Sequence, residues 1–267
     1  MKIAILLFIN IISNVKLISQ ELTDSIKYDY NKVMQIKGVD KRDTTFINRC
    51  IERKAKIFVN GRKYIYKASI LNGLYDTLCL THITLIGSNQ RWKNEPKKQM
   101  TANYVFERFF EDSLKLQKYI ENSQCFNWLN STNEGVIENV EKIWIHPFRS
   151  NQYVMTEIVG FPDVLLPLEI GKEWTGNLYI QNGWCNWENK EVKNHYNVLS
   201  KEEYVLNNQI ILCWKIIVNS SIEQNENKLT YLFNEQNGFV SMKYEFYNGL
   251  KINFEMIKTI NENEIKE

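Results

Sequence analysis

The sequence predicts a mainly β protein of the α+β class, with a curved antiparallel sheet or half-barrel in its C-terminal part. Apolar residues alternate with polar ones over residues 240–246 and again over 252–256, which places the apolar set on one face of a sheet. Asn248-Gly249 lies between these runs, and this pair favours a type I′ hairpin turn, which needs positive φ at both central residues. With a strand at Leu229–Phe233, we expect a three-stranded meander over 228–258.

Three more strands are expected upstream of the meander. Residues 209–218 form a near-continuous apolar run rich in β-branched side chains. The run is too short to span a membrane and predicts a central strand covered on both faces. Asn207-Asn208 is the expected turn from an earlier strand near 196–206, and residues 174–180 predict another strand.

The first half of the chain predicts a mixed part with one amphipathic helix. The helix is expected over Tyr104–Ile120, where apolar residues roughly follow one helical face. Asn60-Gly61 is the expected turn of a second hairpin, and His146-Pro147-Phe148-Arg149 is the expected link between two later strands. The strands expected in this half are 57–59, 63–66, 82–86, 140–145 and 153–159.

Four segments are predicted along the chain. Residues 1–19 are expected to be a signal peptide, 20–160 a mixed α/β N-terminal part, 161–260 an antiparallel β C-terminal part and 261–267 a flexible tail. The boundary between the two main parts is expected within the stretch that Pro162 and Pro167 bracket.

The N-terminal segment predicts export to the periplasm or the medium. Lys2 precedes an apolar run from Ile3 to Ile12, which is the pattern of a secretory signal and is shorter than the roughly 20 residues of a membrane-spanning helix. We expect cleavage after Ser19. The first cysteine is Cys50, so a protein that is not lipid-anchored is expected. The alternative is a buried N-terminal strand or helix of a cytosolic protein.

The charge balance and the cysteines exclude some functions. The chain carries 33 basic and 31 acidic residues, with a net charge of +2, which argues against nucleic-acid binding through a concentrated basic face. Five cysteines leave at least one unpaired. The pairs Cys50/Cys79 and Cys185/Cys213 are candidate disulfides in an oxidising compartment, and buried free thiols are the alternative.

Three stretches carry a family resemblance: Trp144–Arg149, Gly160–Pro162 leading to Pro167–Trp174, and Tyr231–Asn234 leading to Gly238–Tyr244. Their order resembles uncharacterised exported proteins of Bacteroidetes bacteria, and the C-terminal part is similar to lipoprotein-carrier-like open β-sheets. The resemblance covers about residues 140–258. It implies a Gram-negative envelope context and a half-barrel sheet, and it assigns no functional residue.

The sequence predicts no catalytic motif, metal site or cofactor. The histidines His82, His146 and His195 lie far apart and form no HxxxH or HExxH pattern. His146, with Arg149 as a bidentate donor, is a candidate anion or carboxylate site, and a strand-end turn is the alternative interpretation.

Two tryptophans form the other candidate binding site. Trp184 and Trp187 lie in a segment with Gly183 and Cys185, where exposed aromatic side chains could stack on a sugar or bind a partner. The alternative is that they cap the open end of the curved sheet.

Three functions remain open at this point. The first is a non-enzymatic exported protein that binds an apolar small molecule, a lipid or an envelope protein, because a curved sheet with an aromatic concave face offers an apolar pocket. The second is an envelope hydrolase, which would bring His146 or His195 to a carboxylate such as Asp163 or Glu173. The third is a structural or protein-interaction module.

Overall fold

The computed structural model describes residues 26–27, 52–53, 56–73, 77–91, 99–109, 131–148, 151–180 and 187–261. Two short strands, β1 (Ile26–Lys27) and β2 (Glu52–Arg53), pair with each other. No helix within these ranges is long and apolar enough to cross a membrane.

One antiparallel sheet contains the other twelve strands, in the spatial order β8-β7-β6-β5-β4-β3-β14-β13-β12-β11-β10-β9. The predicted fold class is confirmed: in the described part the edge strands β8 and β9 do not pair with each other, so the sheet stays open. Its strands are β3 (Lys63–Leu71), β4 (Thr77–Arg91), β5 (Gln99–Phe109), β6 (Ser131–Glu138), β7 (Lys142–Ile145), β8 (Asp163–Leu165), β9 (Glu173–Ile180), β10 (Lys190–Leu206), β11 (Gln209–Ile222), β12 (Asn225–Asn234), β13 (Gly238–Glu245) and β14 (Lys251–Ile260).

The C-terminal meander β12–β13–β14 is confirmed, and the turn between β13 and β14 differs in type from the expectation. Gly249 has φ of +81° and donates to the Phe246 carbonyl at 2.9 Å, which closes a three-residue loop with glycine in the left-handed position. The turn with positive φ at both central residues is Asn207-Asn208, at 52° and 61°. Asparagine tolerates this conformation, so a two-residue hairpin joins β10 to β11.

The last part of β10 curves until it contacts β14. The β10–β11 register shifts between Val198 and Ser200, and a bulge of this kind bends and twists a strand. Beyond the bulge, the Tyr204 hydroxyl donates to the Met256 carbonyl at 2.9 Å, and the Asn207 amide donates to the Thr259 hydroxyl at 3.0 Å. We call residues 200–206 and 209–213 the ribbon.

The concave face of the sheet is covered by residues 146–148 and 151–163, which we call the strap. A 3-10 helix, Asn151–Ile158, forms its middle, so the expected strand over 153–159 is wrong. Gln152 and Thr156 are buried together with Tyr153 and Ile158. Because this segment is buried on every side, it lacks the alternating exposure of a half-buried strand, and the Thr156 hydroxyl bonds locally to the Tyr153 carbonyl.

One other predicted element needs correction. The expected helix Tyr104–Ile120 is wrong over residues 104–109, which belong to β5 and pair with β4, and of which Tyr104 and Val105 also pair with β6. Residues 110–120 lie outside the described part. A strand between two neighbours receives its hydrogen bonds from both, which overrides a helical spacing of apolar residues. The sheet crosses the expected boundary between the two main parts, since β3 pairs with β14, and the division itself stays a prediction.

The first arm of the expected hairpin about Asn60-Gly61 is not a strand. The turn is present, because the Arg62 amide donates to the Val59 carbonyl at 3.2 Å. The amides of Ile57 and Phe58 donate instead to the two carboxylate oxygens of Glu138, at 2.7 and 3.0 Å. A side chain from β6 therefore replaces a neighbouring strand as the acceptor.

Candidate functional site

The strap is held on the concave face by side chains of the sheet that bind its backbone. The Gly160 amide donates to the Ser220 hydroxyl at 2.9 Å, and the Tyr196 hydroxyl donates to the Phe161 carbonyl at 3.1 Å. The Asn227 amide donates to the Ile158 carbonyl at 3.3 Å, and the Tyr231 hydroxyl donates to the Asp163 carbonyl. These polar residues occupy inward strand positions, so the sheet satisfies the buried backbone of its own cover.

Aromatic side chains fill the space between the strap and the sheet. The ring of Phe254 lies 4.8 Å from that of Phe148 and 5.1 Å from that of Tyr153, and all three are almost fully buried. The concave face on which an apolar ligand was expected is therefore occupied, in the described part of the chain, by the protein's own side chains.

His146 binds a carboxylate of its own chain. Its Nε2 lies 3.3 Å from Oε1 of Glu157, with the two side chains only 14% and 11% exposed, and its ring centroid lies 4.7 Å from that of Phe161. His146 follows β7 and Glu157 lies in the 3-10 helix, so the pair joins two parts of the strap. Arg149, the other residue of the predicted anion site, lies outside the described residues, and that site stays a prediction.

The carboxylates named for a hydrolase lie near basic groups in two separate places. Asp163 contacts the Lys142 ammonium at 2.7 Å; burial raises the pKa of Asp163 and the charge of Lys142 partly offsets this. His195 on β10 lies with its Nε2 3.4 Å from Oε2 of Glu173 on β9, and both side chains are about half exposed. The structure thus pairs both His146 and His195 with a carboxylate. The partner of His146 is Glu157, whereas Asp163 was one of the expected carboxylates. Within the described residues, no three His, Cys, Asp or Glu side chains are grouped to hold a metal ion.

The predicted tryptophan site is only partly described. Trp187 is partly buried and packs against the core, whereas Trp184 and Cys185 lie outside the described residues. The binding role of this segment stays a prediction.

Cys213 is a buried free thiol in this structure. Burial raises its pKa to about 12, so the thiol stays protonated at neutral pH and is a poor nucleophile. The side chains of Cys50, Cys79 and Cys185 lie outside the described part, and disulfide formation in the oxidised protein stays a prediction.

The ribbon carries an exposed apolar surface that the sequence interpretation missed. Val205, Ile210 and Leu212 are 65%, 68% and 57% exposed, and Val205 lies directly opposite Ile210. The expectation that the strand at 209–218 is covered on both faces is therefore wrong for its first residues. The adjacent Asn207-Asn208 turn could have indicated this exposure, because residues beside a hairpin turn often extend beyond the layers that cover a central strand.

A groove of about 350 Å³ runs beside this apolar surface. The Lys201 ammonium lies 4.0 Å from the ring centroid of Trp214, and the Trp214 indole donates to Glu235 at 3.4 Å. The groove therefore combines an aromatic ring with charges of both signs at its rim. Its lining residues are Lys201, Ile211, Leu212, Cys213, Trp214, Asn234, Glu235 and Gln236.

Replacing Tyr244 by phenylalanine is expected to stabilise the protein by about 1 kcal/mol at neutral pH. Its fully buried hydroxyl finds no hydrogen-bond partner among the described residues, so the change removes a desolvated polar group and keeps the ring. Urea unfolding of both proteins measures the difference. Tyr66→Phe is the control, since the Tyr66 hydroxyl donates to the Phe239 carbonyl at 2.9 Å and its loss should destabilise. Equal destabilisation by both changes would contradict this expectation.

The buried tyrosines also predict a loss of stability at alkaline pH. Burial raises the pKa values of Tyr66, Tyr231 and Tyr244 well above the ordinary value of 10.0. Above that value the unfolded chain loses these protons while the folded chain keeps them, so the free energy of unfolding falls as pH rises. Urea midpoints measured on both sides of the ordinary value test this, and a smaller fall is expected for Tyr244→Phe.

The comparisons with known proteins give likenesses of fold. No family model matches the chain, and no curated protein matches it. A protein of Bacteroides fragilis described as exported, with a YmcC-like fold, is 10% identical; the match covers 76% of this chain and 97% of that one, with a TM-score of 0.46. A protein of Parabacteroides distasonis described as a lipoprotein is 8% identical over 76% and 96% of the two chains, with a TM-score of 0.44.

The hypothetical lipoprotein YmcC of Escherichia coli is 9% identical, with coverage of 77% of this chain and 90% of that one and a TM-score of 0.35. With identities of 10% or less and TM-scores below 0.5, these likenesses say nothing about the activity or the partners of this chain.

Proposed function

We propose that this chain is an exported protein without catalytic activity, that it works as an interaction module, and that the ribbon is its contact surface. The observation that carries the proposal is the exposure of Val205, Ile210 and Leu212 side by side. Export is supported by Lys2 and the apolar run that follows it.

Exposed aliphatic side chains on one face of a ribbon favour a partner that covers them. Covering a side chain of this size fully contributes about 1.5–3 kcal/mol. Contiguous apolar surface with a polar rim is typical of protein interaction sites, and here Lys201 and Glu235 line the adjoining groove. The opposite face of the ribbon packs against the protein itself, since Leu206 and Cys213 are buried there.

The concave face supports ligand binding less well than the ribbon does. A ligand there would have to displace the strap, with Phe148 and Tyr153 leaving their contacts with Phe254 and four side-chain bonds to the strap backbone broken. An interaction at the ribbon requires none of these changes.

Site-specific photo-cross-linking in cells tests the contact surface. A photo-reactive amino acid at Leu212 is expected to form a discrete adduct, whereas the same amino acid at Asn219, exposed on the same strand, is expected to form none. The adduct should disappear when Ile210→Lys is added, because a charge in the apolar surface opposes its desolvation. Absence of an adduct at Leu212, or the same adduct at both positions, would contradict the proposal.

Cell fractionation with mass spectrometry of the N-terminus tests export. The mature chain is expected in the envelope or the medium, with its first residue near Gln20. Recovery of an intact Met1 in the soluble cytosolic fraction would overturn this part of the proposal.

A further inference from the structure

We infer that the partner of the ribbon is a second copy of this chain, joined to the first by antiparallel pairing of the two β11 strands at residues 209–213. This inference rests on the ribbon being the contact surface, as proposed above. It adds the identity of the partner and the mode of pairing.

Residues 209–213 form an open strand edge in the described part of the chain. Pairing of β11 with β12 ends at Trp214 and Phe233, whereas pairing with β10 continues to Gln209 and Leu206. The strand thus extends several residues beyond β12 with a neighbour on one side. An edge of this kind presents backbone donors and acceptors that another strand can use.

The outward backbone groups belong to Ile210 and Leu212. Leu206 and Gln209 flank the two-residue turn and form its closing hydrogen-bonded pair. In an antiparallel ladder hydrogen-bonded and non-hydrogen-bonded pairs alternate, so the next residue, Ile210, and then Leu212 direct their amides and carbonyls away from β10. The Asn234 side chain agrees with this assignment, because its exposed amide donates to the Leu212 carbonyl at 3.0 Å from the open side. Pairing with a second strand would replace this hydrogen bond.

The same two residues carry the exposed aliphatic side chains, and the edge has no charge. Residues 209–213 read Gln-Ile-Ile-Leu-Cys. The ribbon's other strand differs, since residues 201–203 are Lys-Glu-Glu, and charges along an edge protect it from pairing. The β11 edge therefore lacks the protection that the β10 strand has.

This edge is complementary to itself. A twofold axis at Ile211 places Ile210 opposite Leu212 of the second copy, and Leu212 opposite Ile210 of the second copy. Both pairs then direct their backbone groups at each other, and their aliphatic side chains become cross-strand neighbours. No like charges meet across the axis, and a twofold contact of this kind closes after two copies. The groove beside residues 211–214, which residues 234–236 also line, leaves room along this edge.

Sedimentation equilibrium of the purified full chain, with two matched proline variants, tests the pairing. The wild-type protein is expected to show a concentration-dependent monomer–dimer equilibrium. Ile210→Pro removes an outward amide from the uncharged edge and is expected to abolish the dimer. Glu203→Pro is the control: Glu203 lies directly opposite Leu212, is exposed and belongs to the charged strand, and this variant is expected to keep the dimer.

A charged variant covers the case in which proline disturbs the hairpin. Leu212→Lys places two ammonium groups close to the axis and is expected to shift the equilibrium to monomer, while circular dichroism stays that of the wild type. A dimer that persists in folded Leu212→Lys, or that Glu203→Pro abolishes as fully as Ile210→Pro does, overturns the edge pairing.

The cross-linking experiment separates the two proposals. A wild-type chain that is monomeric at every concentration, together with a Leu212 adduct to a different protein, overturns the second copy as partner and leaves the ribbon as the contact surface. A monomeric chain without any Leu212 adduct overturns both. An adduct with the mass of two copies, with the dimer lost in Ile210→Pro, supports both.

Discussion

Replacing Phe254 by alanine is expected to destabilise the protein by about 3–5 kcal/mol. Phe254 is fully buried in β14, and its ring meets Phe148 and Tyr153 of the strap on one side and Tyr244 of the sheet on the other. The deletion leaves a cavity between the strap and the sheet, and neither layer can collapse freely because hydrogen bonds hold the strap in place. Urea or thermal unfolding measures the loss.

Ile257→Ala on the same strand is the control for this change. Ile257 is 45% exposed, so its truncation is expected to cost less than about 1 kcal/mol, as for a partly exposed side chain. If Phe254→Ala were no more destabilising than Ile257→Ala, the strap would not be packed on the concave face. The conclusion that the concave face is filled would then lose its support. Binding of an apolar ligand on that face would again be a supported interpretation.

Replacing Gly87 by alanine is expected to destabilise the protein by about 3 kcal/mol, at the upper end for an overpacked site. A Cβ at Gly87 would lie 2.0 Å from the Val59 carbonyl oxygen and 2.9 Å from its carbon. These are backbone atoms, so no side-chain rotation can relieve the clash. Gly87 also exchanges hydrogen bonds of 2.9 Å with Gly61 and Arg62, which the displacement would lengthen.

Gly176→Ala provides the matched strand glycine. A Cβ there meets only the Tyr196 ring at 3.6 Å, an ordinary contact, and alanine restricts the unfolded chain, so a change between zero and about 1 kcal/mol of stabilisation is expected. Thermal unfolding of both variants gives the comparison. Equal stability of the Gly87 and Gly176 variants would show that the segment at 57–62 does not lie against β4 as described.

The filled concave face and the exposed ribbon change the functional interpretation together. The resemblance to lipoprotein-carrier-like sheets implied a half-barrel, and its aromatic concave face was the expected pocket for an apolar ligand, whereas the chain itself covers that face with Phe148 and Tyr153. The exposed aliphatic surface lies instead at Ile210 and Leu212. An interaction module is therefore better supported than a carrier.

Local sequence patterns were reliable where a strand has one buried face. The run from Val240 to Phe246 alternates because its apolar side chains point to the core, and the observed β13 and β14 agree with the prediction. The Asn207-Asn208 turn was likewise readable, since asparagine accepts positive φ. In both cases the information lies within a few neighbouring residues.

Patterns failed where burial depends on distant parts of the chain. The strap lacks alternation because both the sheet and its own turns enclose it, so Tyr153 and Thr156 are buried together. The apolar run at 209–218 looks uniform in sequence, yet Ile216 is buried and Ile210 is exposed. The reason is that Ile216 lies in the region of the sheet that the strap covers, whereas Ile210 lies beyond it. No local spacing encodes where a covering layer ends.

The sequence by itself determined that this protein is a mainly β, antiparallel structure, and it located the C-terminal meander and the turns that join β10 to β11 and β13 to β14. Only the tertiary structure decided that the concave face is filled, that His146 pairs with Glu157, and that Ile210 and Leu212 are left exposed. The physical reason is that alternation and turn residues act through contacts between near neighbours. The covering of a sheet face depends instead on contacts between segments that are far apart in the chain.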